Sequence, residues 1–239
     1  MNRSSSTPDL SEYLYPGCNA LETAVRLSTE QLRMFRRVPR EYDMLEAMKD
    51  VIARLEQAGI PFALIGGLAV GYHSIPRATK DVDFLVNEED AERARQMFAG
   101  EYRGGMRDFL LFEHAGVRFD LVVTRLRWHR DALAQAKDGV VEGIPIRVVP
   151  ARDLILLKLI ASVERANLGA ASQDRTDVIR VIEHNADLSK TEFDWMARTL
   201  STAYGMFGPA GFAKYRRALE WLNETLDQLG RTDAKCDLP

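Results

Sequence analysis

The part of the chain that most constrains its fold is Phe62–Val86, FALIGGLAVGYHSIPRATKDVDFLV. It begins with a short apolar run, Phe62–Ile65, which predicts a buried strand. Gly66 and Gly67 predict a tight turn that no side chain obstructs, and the small residues after them predict a helix whose free N–H groups point toward that turn. Alternation over Asp81–Val86 predicts a second strand. The stretch therefore predicts a strand, a glycine turn, a helix and a strand, in that order.

Two carboxylates follow the glycine turn on the second of these strands. Asp81 and Asp83 are two residues apart, so both project from one face of the strand. Carboxylate oxygens are preferred ligands of Mg²⁺, which keeps coordination positions for substrate phosphates. The turn at Gly66 and Gly67 can receive a triphosphate through backbone N–H groups. Each pattern alone is common in proteins, but together they predict a metal-dependent nucleotide site.

The order Gly-Gly, a spacer and Asp-x-Asp on a strand resembles the nucleotidyltransferase superfamily, which includes DNA polymerase β and antibiotic adenylyltransferases. The segment GGLAVGYHSIPRATKDVDF is most similar to the bacterial AbiEii-type toxins. The resemblance covers roughly residues 62–182. It implies an α/β (α+β) fold, with a mixed β-sheet, flanking helices and a helical C-terminal subdomain. It also implies transfer of a nucleoside monophosphate from an NTP to an acceptor hydroxyl.

A third carboxylate, Asp120, lies in a predicted hairpin. The runs Phe109–Glu113 and Val117–Val123 predict two strands joined by a turn at Gly116. Asp120 falls on the opposite face from Phe119 and its apolar neighbours, and a mid-strand carboxylate needs a partner if it is buried. The resemblance implies that it is the third catalytic carboxylate. The alternative is an aspartate on a half-exposed strand.

An apolar helix is predicted over Leu154–Arg165, and it contains Lys158. A lysine in such a helix needs a carboxylate, a phosphate or a route to solvent. Two partners are open for Lys158: the triphosphate, or one of the aspartates Asp174 and Asp177 on the next predicted helix.

The spacing of these residues resembles a second region of the AbiEii-type family, in which a helical lysine precedes an arginine, here Arg165, and an Asp-x-x-Asp helix. The resemblance implies that Lys158 contacts the nucleotide and that Asp174 or Asp177 supports catalysis. One departure is Gln173, where the family has a basic residue. The alternative for the two aspartates is a charge patch favoured by the N-terminal end of the helix dipole.

The roles implied by the resemblance divide into metal binding and nucleotide binding. The expected metal ligands and catalytic residues are Asp81, Asp83 and Asp120, with Asp120 also helping to deprotonate the acceptor. The expected nucleotide-binding residues are Gly66, Gly67, Arg77 and Lys158, with Arg77 or Lys158 neutralising charge on the leaving pyrophosphate. Arg165, Asp174 and Asp177 are expected to support the site.

Composition and length set the domain expectations. The chain is 46% hydrophobic and 28% charged, with a formal net charge of −3, which is typical of a soluble globular protein. It has no apolar run of about 18 residues and no apolar N-terminal segment, so we expect a cytoplasmic protein with no membrane partner. The expected parts are a partly disordered extension (1–40), a nucleotidyltransferase core (41–150), a helical subdomain (151–230) and a tail (231–239), with the nucleotide between core and subdomain.

The acceptor is open between three hypotheses. A toxin-like enzyme would modify a tRNA end or another RNA, with a cognate antitoxin as partner. A small-molecule transferase would modify an antibiotic, and a third possibility is a nucleotide-binding relic without turnover. Two arginine clusters are either solvated faces or RNA contacts. The first contains Arg26, Arg33, Arg36, Arg37 and Arg40, and the second contains Arg118, Arg125, Arg127 and Arg130.

Overall fold

The computed structural model describes residues 10–35 and 43–238. These residues divide into two compact units, one of residues 10–35 and 43–150 and the other of residues 151–238. None of the helices in these ranges is long and apolar enough to span a membrane.

The first unit contains a seven-stranded mixed sheet. Its strands are β1 (Phe62–Ile65), β2 (Asp81–Asn87), β3 (Tyr102–Met106), β4 (Phe109–His114), β5 (Val117–Thr124), β6 (Lys137–Val141) and β7 (Ile144–Val148). The order across the sheet is β3-β4-β5-β2-β1-β7-β6. The pairs β2–β5 and β1–β7 are parallel, and the other neighbouring pairs are antiparallel. The sheet confirms the predicted α/β fold with a mixed sheet.

Five α-helices flank this sheet. They are α1 (Ala20–Phe35), α2 (Met44–Gln57), α3 (Gly66–His73), α4 (Ala91–Met97) and α5 (Arg127–Ala134), and short 3₁₀ helices cover Ser11–Tyr13 and Glu88–Asp90. Helix α2 begins at an Asp43 cap, whose side chain accepts a hydrogen bond from the Leu45 amide. It ends at Gln57, and Gly59 two residues later has a φ of +62°, which suits a position just after a helix.

One face of the central strands is apolar and closed. Ala47, Met48 and Val51 of α2 line a small internal space together with Val82 and Phe84 of β2 and Val117 and Phe119 of β5. Phe119 stacks on Phe112 of β4 with ring centroids 4.8 Å apart. Because side chains alternate along a strand, this packing directs Asp81, Asp83 and Asp120 to the other face.

The second unit is helical. It consists of α6 (Ala151–Glu164), α7 (Leu168–His184), α8 (Lys190–Gly205), α9 (Gly208–Gln228) and a 3₁₀ helix at Thr232–Ala234. Helix α8 begins with a capping box in which Ser189 and Glu192 satisfy each other's backbone amides.

The N-terminal segment differs from its description as an extension. Helix α1 belongs to the sheet unit and packs against α2 and α3. A Cβ at Gly71 of α3 would lie 2.7 Å from the Ala24 Cβ, so a glycine is needed for this close helix contact. The disorder expected within residues 1–8 concerns residues outside the described ranges, as do Arg36, Arg37 and Arg40.

The C-terminal segment after α9 is also not a loose tail over its described length. Arg231 donates to backbone oxygens of Ile182 and Leu188 near the end of α7. The backbone of Cys236 exchanges two hydrogen bonds of 2.8 Å with the Asn223 side chain, and Cys236 is buried. These bonds satisfy backbone groups that a free tail would expose to water.

Candidate active site

The glycine turn lies directly against the second predicted aspartate. Gly66 has a φ of +66°, and a Cβ at this position would stand 1.8 Å from Asp83 Oδ2. A Cβ at Gly67 would stand 2.7 Å from Thr79 Oγ1 and 3.2 Å from Arg77 Nη2. Only glycines allow the chain to approach these side chains so closely.

The start of α3 lies next to the Arg77 side chain. Its N-cap residue is Ile65, whose side chain makes no capping hydrogen bond. The Arg77 side chain lies beside Gly67, where its Nη1 donates to the Ala78 carbonyl at 3.0 Å. A cation beside the N-terminal end of a helix is suited to an anionic group.

The sheet register brings the three predicted carboxylates to one face. Asp83 of β2 is the register partner of Asp120 of β5, and Asp81 is the partner of Arg118. Strands in a sheet lie about 4.8 Å apart, so these side chains are neighbours. The structure therefore places Asp81, Asp83 and Asp120 together beside Gly66.

Arg118, which the sequence analysis named only as part of an arginine cluster, contacts two of the predicted carboxylates. Its Nη2 lies 3.1 Å from Asp120 Oδ2 and 3.5 Å from Asp81 Oδ2. The signal was its position two residues before Asp120, which puts both on one strand face. Its bridging contact with Asp81 depends on the parallel pairing of β2 with β5, which local sequence does not reveal.

Asp120 is buried and incompletely hydrogen bonded. The residue is 9% exposed, and its Oδ1 is a buried atom with no hydrogen-bond partner. Burial raises the pKa of the Asp120 carboxyl above its ordinary value, and the Asp81 charge acts in the same direction, while Arg118 lowers it. An orphaned carboxylate oxygen of this kind is suited to a cation or a proton.

Thr79 and Ser28 form a second group that the sequence analysis missed. Thr79 Oγ1 donates to Asp81 Oδ1 at 3.2 Å, and the Thr79 amide donates to Ser28 Oγ at 2.9 Å. Ser28 in turn donates to the Ala24 carbonyl at 2.6 Å within α1. Both hydroxyl residues are buried. Helix α1 therefore fixes the loop that orients Asp81.

The carboxylates fit a divalent metal in their chemistry. All three supply oxygen, the ligand type that Mg²⁺ prefers, and Asp120 Oδ1 has no other hydrogen-bonding partner. Within residues 10–35 and 43–238, no group of three His, Cys, Asp or Glu side chains is arranged to hold a metal ion. Two of the carboxylates instead contact the Arg118 guanidinium.

The second predicted group lies in the helical unit as an ion-pair cluster. Lys158 Nζ of α6 lies 2.9 Å from Asp174 Oδ1 and 2.9 Å from Asp177 Oδ2 of α7. Arg165 Nε lies 2.8 Å from Asp174 Oδ2, and Gln173 donates to Asp177 Oδ1 at 2.9 Å. Of the two partners left open for Lys158, the structure shows the aspartates. Gln173, the departure from the family pattern, contributes to the same cluster.

Arg125, a member of the second arginine cluster, lies away from the carboxylates. Arg125 follows the Asn87–Thr124 register pair, which is four residues, or about 13 Å, along the strands from the Asp83–Asp120 pair. Its side chain contacts Glu88 and lies 2.8 Å from Asp108 Oδ1. Arg118, in contrast, contacts two of the carboxylates.

Solved structures of other proteins resemble this chain. The solution structure of the antibiotic-resistance factor ANT(2'')-Ia matches with a TM-score of 0.51 at 14% identity, covering 68% of this chain and 93% of that chain. A nucleotidyltransferase-like protein from Paracoccidioides brasiliensis matches with a TM-score of 0.47 at 16% identity, covering 78% of this chain and 91% of that chain. No protein-family model and no curated protein matches this chain.

The protein has the nucleotidyltransferase fold. At 14% identity the likeness to ANT(2'')-Ia shows the fold alone. The closer similarity to AbiEii-type toxins stays a prediction.

Proposed function

We propose that this protein is an Mg²⁺-dependent nucleotidyltransferase that moves a nucleoside monophosphate from an NTP to an acceptor hydroxyl. The observation that carries the proposal is the convergence of Asp81, Asp83 and Asp120 on one sheet face, directly against the glycine turn. In the reaction, the acceptor oxygen forms a bond to the α-phosphorus, the bond from that phosphorus to the bridging oxygen breaks, and pyrophosphate leaves. Three intact carboxylates argue against a relic that has lost turnover.

We assign the role of each site residue from its position. The backbone at Gly66 and Gly67 receives the β- and γ-phosphates at the start of α3, and Arg77 neutralises charge that develops on the leaving group. Asp81, Asp83 and Asp120 would hold the metal, which supplies Lewis-acid stabilisation of the phosphoryl oxygens. Asp120 Oδ1, which has no hydrogen-bond partner, is suited to accept the proton of the acceptor hydroxyl.

The helical cluster has a structural role in this proposal. Lys158 is 8% exposed and lies between two carboxylates. A buried cation in such a place is held by its partners, and its removal leaves their charges uncompensated. We therefore assign Lys158, Asp174 and Asp177 to the joining of α6 and α7, with Arg165 at the edge of the cluster.

For the acceptor we propose a tRNA end or another RNA, on the resemblance to AbiEii-type toxins, which would also bring a cognate antitoxin as partner. The second candidate is a small molecule of the antibiotic class. The location of Arg125 about 13 Å along the strands from the carboxylates favours this candidate, because this arginine pairs with Glu88 and Asp108 rather than standing at the site for an RNA phosphate.

The test is a transfer assay with the complete protein. Each of the four NTPs, labelled at the α-phosphate, is incubated with Mg²⁺ and either total RNA or a panel of aminoglycosides, with EDTA as the control. We expect EDTA-sensitive label in one acceptor class, and that class identifies the acceptor. Absence of label from both, in a protein shown to be folded, would overturn the proposed activity for these acceptors.

A further inference from the structure

One guanidinium nitrogen serves two of the three carboxylates. Arg118 Nη2 contacts Asp120 Oδ2 at 3.1 Å and Asp81 Oδ2 at 3.5 Å. Without a cation at this point, two carboxylates on neighbouring strands would repel each other, and Asp120 would be a buried charge without a partner. Arg118 therefore places a positive charge between these two carboxylates.

The Arg118 side chain is able to leave this position. Its side chain is 43% exposed, compared with 12% for Asp120. A long side chain at that exposure can turn into water without disturbing the core, because its charged head is hydrated wherever it turns. The carboxylates, in contrast, are fixed by the sheet and, for Asp81, by Thr79.

We infer that Arg118 is a positioning residue that holds Asp81 and Asp120 in the metal-free protein and competes with the metal for their oxygens. This inference rests on the proposed function, because it takes the three carboxylates as the metal ligands. The guanidinium keeps the ligands in place while no metal is bound, and it weakens metal binding because the same two oxygens must be released. Metal binding is then an exchange of one cation for another.

The direct test is a titration with Mn²⁺, followed by electron paramagnetic resonance in the absence of nucleotide. Arg118→Gln should bind Mn²⁺ about tenfold more tightly than the parent, since a dication gains about this factor when a unit positive charge about 6 Å away is removed in a water-like medium. Arg103→Gln on β3 is the matched control, because it removes the same charge from an exposed arginine. Its charge lies two strands away from Asp120, so its effect on Mn²⁺ affinity should be clearly smaller than that of Arg118→Gln. An affinity for Arg118→Gln within twofold of the parent, or weaker, would overturn the inference.

Thermal melts give a second readout that does not depend on activity. In EDTA, Arg118→Gln should melt at a lower temperature than Arg103→Gln. Added Mg²⁺ should raise the melting temperature of Arg118→Gln by more than it raises that of the parent, since tighter binding to the folded state stabilises that state further. Equal shifts in the two variants would contradict the exchange. If Arg118→Gln does not fold, Arg118→Lys is the second variant. A single ammonium bridges two carboxylates less well than a guanidinium. The Mn²⁺ affinity of Arg118→Lys should therefore also exceed that of the parent.

Failure of this inference is distinguishable from failure of the proposed function. If the parent protein transfers label but Arg118→Gln does not change the Mn²⁺ affinity, the inference about Arg118 is wrong and the proposed activity stands. If Arg118→Gln binds Mn²⁺ more tightly than the parent but the parent transfers no label, the cation exchange stands and the proposed activity is wrong. If the parent binds no Mn²⁺, both the inference about Arg118 and the proposed metal-dependent activity are wrong.

Discussion

Gly66 determines how closely the glycine turn can approach Asp83. A Cβ at Gly66 would overlap Asp83 Oδ2, and φ is +66°. Gly66→Ala should therefore lower the free energy of unfolding by about 1–3 kcal/mol and reduce transfer, because Asp83 must move. Gly59→Ala is the matched control, since Gly59 has a φ of +62° and nothing within 4 Å of its Cβ position. Urea unfolding measures the change in the free energy of unfolding, and the transfer assay measures the change in activity. Equal effects of the two variants in both measurements would show that the Asp83 contact is unimportant.

Thr79 orients Asp81 through a hydroxyl group. Thr79→Val keeps the shape of the side chain but removes the donor to Asp81 Oδ1. The loss of one hydrogen bond should raise the Mg²⁺ concentration for half-maximal transfer by about threefold to tenfold. Thr79→Ser keeps the hydroxyl and should stay near the parent. Indistinguishable Mg²⁺ dependence in the valine and serine variants would leave Thr79 without this role.

At the scale of secondary-structure elements, Lys158 joins α6 to α7. Lys158→Met leaves Asp174 and Asp177 buried without their cation, which should lower the free energy of unfolding by about 3–5 kcal/mol. Lys190→Met is the control, because the Lys190–Asp194 pair lies at the surface with 48% of the lysine side chain exposed, and its loss should change stability much less than the loss of Lys158.

Thermal melts with and without Mg-NTP separate the two partners that the sequence left open for Lys158. We expect a lower melting temperature and an undiminished shift on adding nucleotide. An unchanged melting temperature with a reduced nucleotide shift would return Lys158 to the phosphates.

The elements could be predicted from the sequence where local patterns decide them. The hairpin of β4 and β5 follows from two apolar runs and a Gly116 turn, and it was predicted with its carboxylate on the correct face. Strand β3 was missed because Tyr102–Met106 contains Gly104 and Gly105, which weaken the strand signal. Its place in the sheet comes from pairing with β4.

The site was predictable residue by residue but not as a set of contacts. Asp81, Asp83 and the glycine turn could be read from one continuous stretch. The contact of Asp81 with Arg118 requires the β2–β5 pairing, and the bond from Thr79 to Ser28 requires α1 to pack beside the site. Both depend on residues distant in sequence, so they lie outside what local periodicity can show.

At the scale of the whole molecule, the partly buried His73 links stability to pH. Burial lowers the pKa of His73 to about 4, and its Nε2 lies 2.7 Å from the Val149 carbonyl, so the neutral ring donates there. The pKa in the unfolded chain is about 6.5. Between these values the unfolded state binds a proton that the folded state does not, so this contribution to stability is complete above pH 6.5 and is lost as the pH falls toward 4.

His73→Gln should therefore flatten the pH dependence of the free energy of unfolding between pH 6.5 and 5. His129, whose pKa burial also lowers to about 4, should leave part of the slope in place. Urea titrations at pH 7, 6 and 5 measure this pH dependence of the free energy of unfolding. A slope as steep as that of the parent would contradict this assignment.

The central claim is that the carboxylates beside the glycine turn carry out nucleotidyl transfer. The most direct measurement is the initial rate of Mg²⁺-dependent label transfer by Asp83→Asn, with Asp108→Asn as the control. Asp108 is an exposed aspartate paired with Arg125 beyond the far end of β5. We predict that Asp83→Asn folds and loses transfer by at least about 10²-fold, while Asp108→Asn keeps the rate of the parent. Near-normal turnover by a folded Asp83→Asn variant would contradict the account.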